Sequence, residues 1–115
     1  MSARNAALKE AARQRKIPMG IYSIRNLATG LSYVGSSVNV PAALNRHRFT
    51  LQLGSHLDAA LMADGRRDGA DSFVFEVLDL LPETDEPPAE PASELAALLE
   101  LWTAQLGDRV AGVLA

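Results

Sequence analysis

The stretch GIYSIRNLATGLSYVGSS, residues 20–37, restricts the possible folds more than any other part of the chain. From Met19 to Asn26 the residues alternate as a strand requires, with Ile21 and Ser23 on one side and Tyr22 and Ile24 on the other. NLATG supplies Asn and Gly for a turn, and LSYVGSS reads as the return strand. The expected unit is a β-hairpin carrying both tyrosines of the chain, Tyr22 and Tyr33, each two residues from a glycine.

Downstream, Asn39 is placed to cap a helix with Pro41 in its first turn, and Leu44, His47, Arg48 and Leu51 follow at helical spacing up to Gly54. A second helix is expected from about His56 to Arg67, with Leu57, Ala60, Leu61 and Asp64 in register and Gly69 closing it. SFVFEVLDLL reads as a third strand, with Phe73, Phe75, Val77 and Asp79 on one face and Val74, Glu76, Leu78 and Leu80 on the other. Ser93 is placed to cap a last helix, whose Leu95, Leu98, Leu99, Trp102 and Leu106 form an apolar stripe that docks on the sheet.

The fold class expected from this order is α/β, a small mixed three-stranded sheet of one hairpin plus one later strand, flanked by helices. Four segments follow along the chain: an N-terminal helical arm over 1–18, a core over 19–80, an acidic proline-rich linker over 81–92, and a C-terminal helix and tail over 93–115 packing on the core.

With 115 residues, 48% of them hydrophobic, the chain suits one domain with a modest core. The absence of cysteine removes disulfides, thiolate metal sites and a cysteine nucleophile, and points to an intracellular setting. No run approaches the roughly 20 apolar residues of a membrane span, so the expectation is a cytoplasmic protein without a membrane partner. The net charge of −3 conceals an asymmetry. Residues 1–70 hold ten basic and four acidic side chains, whereas residues 71–115 hold one and ten. The basic half suits a polyanion, and the acidic C-terminal part leaves room for a protein partner.

The order hairpin, two helices, strand, helix, with GIY in the first strand and YVG in the second, resembles the GIY-YIG nuclease superfamily. The resemblance extends to Ser36 and Ser37 after the second glycine, to His47 and Leu51 in the first helix, to GSH before the second, and to the FVFEVL strand. It spans residues 19–80 continuously and 93–106 loosely.

The resemblance implies a phosphodiester-hydrolysing cleft lined by the two tyrosines, one of them a general base or a group that positions water. An arginine on the first helix would clamp phosphate, and a glutamate on the last helix would hold one divalent cation, Mg2+ or Mn2+ in an active enzyme. A phenol ionises near pH 10, so it serves as a base only where a metal or cation lowers that value. Gly20, Tyr22, Tyr33, Gly35 and His47 match the pattern, but the arginine position holds Ala43 and the glutamate position Leu99. Arg46, three residues beyond Ala43 on nearly the same helix face, is the candidate replacement for the arginine. Glu100 and Glu94 are the weaker candidates for the metal.

The catalytic candidates are therefore Tyr22, Tyr33, Arg46 and His47, and the nucleic-acid contacts Arg25, Ser36, Ser37, Arg46 and Arg48. His56, after Gly-Ser, reads as a capping or packing residue, and Trp102 as core. Three functions fit these residues: a metal-dependent DNA endonuclease, a nucleic-acid-binding or regulatory module that has lost the chemistry, and a protein-interaction domain.

Overall fold

A computed structural model describes residues 17–82 and 90–114, so the expected arm over 1–18 and linker over 81–92 lie largely outside the described residues. The elements run β1 (Gly20–Asn26), β2 (Ser32–Ser37), α1 (Val40–Leu53), α2 (Ala59–Asp68), β3 (Phe73–Leu80), α3 (Pro91–Leu106) and β4 (Val110–Val113). β1 and β2 pair antiparallel, with Tyr22 opposite Gly35 and Ile24 opposite Tyr33. Asn26 organises the turn between them. Its N–H donates to the Leu31 carbonyl at 2.8 Å, its carbonyl accepts from Gly30 at 2.7 Å, and its side-chain oxygen accepts from Ala28 N–H at 2.9 Å. Gly30 takes a left-handed backbone with φ of 75°, which a residue with a Cβ adopts only at a cost. The Asn26 amide then reaches Asp68 Oδ2 at 2.7 Å, tying the hairpin end to α2.

Among the described residues the sheet has four strands in the order β3-β1-β2-β4, which corrects the three-stranded expectation. The added strand comes from the tail. Val110, Gly112 and Val113 pair in parallel with Ser32, Tyr33 and Val34. A three-stranded sheet would leave the outer edge of β2 unpaired, and β4 meets those backbone groups. At four residues, β4 is too short for its alternation to stand out in the sequence.

The sheet is covered on both faces. Tyr22, Ile24 and Tyr33 share one apolar cluster with Val40, Ala43 and Leu51 of α1, Leu61 and Met62 of α2, Phe73 of β3, and Leu114. Ile21 and Val34 point to the other face, are wholly buried, and lie under α3, which packs on β1 and β2 and buries Leu95. Each such aliphatic side chain contributes roughly 1.5–3 kcal/mol on burial.

A bulge changes the reading of β3. Val77 pairs with Tyr22 but Asp79 pairs with Ile21, so one residue is inserted between them. Asp79 therefore leaves the Phe73–Phe75 face and receives the Trp102 indole N–H at 3.1 Å from α3. Trp102 is half-buried with its polar edge satisfied.

The helix ends also depart from expectation in part. Asn39 caps α1 by accepting from Ala42 N–H at 3.1 Å, and Gly54 closes it with φ of 74°. The buried face of α1 is Val40, Ala43, His47 and Leu51; Arg48 lies outside it, with its guanidinium 4.7 Å above the Phe75 ring. α2 begins at Ala59, because Asp58 accepts from Leu61 N–H at 2.9 Å and forms the cap. His56 and the fully exposed Leu57 thus precede the helix. α3 starts at Pro91 rather than after Ser93, whose hydroxyl bonds Glu90 Oε2 at 3.2 Å within the first turn.

Candidate functional site

Both tyrosines point to the α1–α2 face, and both are almost fully buried. The Tyr22 ring lies across β2 above Gly35, where a Cβ would come within 2.5 Å of the phenol oxygen. A Cβ at Gly20 would likewise run into the Asp79 carbonyl of the bulged β3. The glycines of the two sequence motifs are therefore points of close approach, one to the first tyrosine and one to the third strand.

The Tyr22 hydroxyl lies 2.7 Å from His47 Nε2. On the far side of that imidazole, Nδ1 lies 2.8 Å from Nε2 of His56, whose ring stacks on His47 at a centroid distance of 5.0 Å. His56 Nδ1 accepts the backbone N–H of Asp58 at 3.0 Å. Tyr33 has a different partner, donating its hydroxyl to Asp64 Oδ2 at 2.7 Å, while Asp64 also pairs with Arg67 at 3.2 Å.

Burial pushes the Tyr22 phenol above its usual ionisation range, and the nearby Arg46 guanidinium only partly opposes this. Tyr33 is also raised, by burial first, then by its hydrogen bond to Asp64 and the charges of Asp64 and Asp58, against Arg67. His47 is lowered to about 4, chiefly by burial, then by His56 and Arg46, with Asp58 opposing. His56 is lowered by burial, with Asp58 opposing and Arg46 reinforcing. At neutral pH the four groups are therefore two neutral phenols and two neutral imidazoles.

A cleft of about 340 Å³ opens beside this array, lined by Arg46, His47, Thr50, His56, Leu57, Asp58 and Leu114. The phenols do not line it. Leu114 forms part of its wall and belongs to the same apolar cluster as the tyrosines. Ala43 is packed into that cluster, so a longer side chain at its position would have to displace its neighbours. Arg46 reaches the cleft one helical turn later.

Several candidates lie elsewhere. Arg25 alternates onto the α3 side of β1 and pairs with Glu76 Oε1 at 2.9 Å. Ser36, opposite Ile21, shares that side, and the Ser37 hydroxyl accepts the Asn39 N–H at 2.9 Å in the turn before α1. Arg48 stacks on Phe75, away from the tyrosines. Glu94, Leu99 and Glu100 sit on α3, across the sheet, with both glutamates exposed. The carboxylates that do approach the tyrosines are Asp58, the cap of α2, and Asp64 within it. Sequence reasoning assigned no site role to these two or to His56. The one signal available for His56 was a second histidine nine residues after His47.

No family model and no curated protein matches the chain. Among the described residues, no helix is long and apolar enough to cross a membrane. Solved structures do match. The catalytic domain of the homing endonuclease I-TevI is 24% identical, with a TM-score of 0.65 over 84% of this chain and 99% of that one. A mutant of the same catalytic domain is 23% identical, with a TM-score of 0.62 over 78% and 84%. The sheet with its tyrosine hairpin and three flanking helices is a GIY-YIG-like fold.

Proposed function

We propose that this chain is a nucleic-acid-binding module with DNA as its partner, built on a nuclease fold. The observation that carries the reading is Arg46, which reaches the cleft beside His47 and His56 one turn beyond the buried Ala43. A planar guanidinium suits a phosphate group, and the two imidazoles beside it are neutral, so they add no charge of their own to the cleft. The basic excess over residues 1–70 and the likeness to an endonuclease's catalytic domain support the same partner. The reading is tested by duplex-DNA affinity across a salt series. Binding should weaken as salt rises, and Arg46→Ala should flatten the slope of log K against log salt by about one unit. Undetectable or salt-independent binding sinks it.

The second reading is a metal-dependent endonuclease, favoured by the 2.7 Å contact between the Tyr22 hydroxyl and a neutral imidazole. The donor set does not fit Mg2+ or Mn2+. Asp58 caps α2, Asp64 is held by Tyr33 and Arg67, and the α3 glutamates lie across the sheet. Among the described residues, no three His, Cys, Asp or Glu side chains are grouped to hold a metal. Such ions require carboxylate oxygens and several waters. Cleavage of DNA with Mg2+ or Mn2+ that disappears in identically purified Tyr22→Phe would favour this reading over the first.

A further inference from the structure

The chain Asp58–His56–His47–Tyr22 has a direction, which one backbone group sets. A backbone N–H can only donate, so His56 Nδ1, 3.0 Å from Asp58 N, is an acceptor. Neutral His56 then carries its hydrogen on Nε2, 2.8 Å from His47 Nδ1, and donates there. Neutral His47 in turn carries its hydrogen on Nε2 and donates to the Tyr22 oxygen at 2.7 Å. These tautomers are assigned from the hydrogen-bond pattern. The reverse assignment places His56 Nδ1–H against the Asp58 N–H, two donors facing each other over 3.0 Å.

The direction matters for Tyr22. Its oxygen accepts from His47, so its own hydrogen is not used in that contact. Among the described residues the hydroxyl has no other hydrogen-bond partner. A buried, uncommitted O–H is costly until an acceptor reaches it. We infer that His56 is a positioning residue which, acting through His47, sets Tyr22 as a hydrogen-bond donor to a ligand oxygen. The neutral phenol held in this way offers its hydrogen to the ligand. Under the nucleic-acid reading, on which this last step rests, the acceptor is a phosphate oxygen of the bound strand. The cleft that His47 and Leu114 line adjoins the cluster that holds the Tyr22 ring. The depressed ionisation of both histidines agrees, because an imidazolium has no acceptor nitrogen and would break the chain.

The test is nitrogen-15 NMR of the imidazoles in the full chain at pH 7, with duplex-DNA affinity measured on the same samples. Both His47 and His56 should show the Nε2–H form, and His56→Ala should lower the Nε2–H fraction of His47. Finding His47 in the Nδ1–H form in the wild-type chain overturns the inference whatever the variant does. Tyr22→Phe should weaken DNA binding roughly two- to tenfold, the worth of one hydrogen bond. Unchanged affinity in Tyr22→Phe, with Arg46→Ala still weakened, overturns the donor role and leaves the nucleic-acid reading standing. A wild-type chain that binds no DNA overturns that reading, while the tautomers still decide the role of His56.

Discussion

Gly35 stands directly opposite Tyr22 in the β1–β2 ladder, and the phenol of Tyr22 occupies the space that a Cβ at Gly35 would need. Two motifs that look separate in the sequence are thus one packing unit. The glycine of the second strand admits the tyrosine of the first, and the tyrosine then reaches His47 on α1.

This pairing predicts unequal costs for two glycines. Gly35→Ala places a methyl group 2.5–2.6 Å from the Tyr22 ring and hydroxyl, so Tyr22 must move, at a cost of roughly 1–3 kcal/mol. Gly112→Ala on β4 meets the Tyr33 ring at 3.4 Å, close to ordinary contact. Urea denaturation midpoints should fall clearly for the first variant and little for the second. Equal midpoints would remove the Gly35–Tyr22 constraint.

The His47 imidazole predicts acid sensitivity. Its folded value of about 4 lies below the usual 6.5, so the unfolded chain takes up a proton first as pH falls. Stability is fully present above about pH 6.5 and declines toward pH 4. His56, also lowered, adds to the decline that begins below about pH 6.5. Denaturant midpoints between pH 4 and 7 should show this slope, and His47→Gln should flatten it.

The tyrosines predict the opposite behaviour in alkali. Both phenols are raised from the ordinary 10.0, so their contribution is present below pH 10 and is lost as pH rises past the unfolded value. Absorbance near 295 nm should show less tyrosinate in the native chain at pH 10 than in the unfolded chain at the same pH, with a rise on unfolding. Gradual ionisation of the folded chain below pH 10 would contradict the buried hydrogen bonds.

Tyr33 and Asp64 predict a stability effect without loss of charge pairing. Tyr33→Phe removes the donor to Asp64 Oδ2 but leaves the Arg67 pair, costing about 1–2 kcal/mol by thermal or chemical denaturation. Asp64→Ala leaves the phenol as an unpaired buried donor and should cost at least as much. The reverse order would place the strength of the contact elsewhere.

Leu114 tests the fourth strand. Its side chain is buried in the tyrosine cluster and its N–H donates to the Val34 carbonyl at 2.7 Å. Leu114→Ala should destabilise by about 2–4 kcal/mol and raise the reactivity of the tyrosines toward nitration. Unchanged stability and unchanged nitration would mean that β4 does not seal the cluster.

Local structure was legible wherever a short-range rule decides it. Alternation in GIYSIRN, the Asn and Gly of the turn, the Asn39 cap with Pro41, and Gly54 at a helix end each act over a few residues, and each recurs in the structure. The start of α2 lies at Ala59 rather than near His56 because Asp58 supplies the side-chain cap, accepting the Leu61 N–H. The bulge in β3 carries no marker in FVFEVLDL, so Asp79 was assigned to the wrong face.

The sequence by itself determined the tyrosine hairpin, the order of its helices, and the short side chain at Ala43. Tertiary structure alone decided the fourth strand and the use of His56 and Asp64 as partners of the array. The reason is distance along the chain. Tyr22 meets His47 across 25 positions and Tyr33 meets Asp64 across 31, and no local periodicity encodes contacts that exist only after two helices fold back over one sheet.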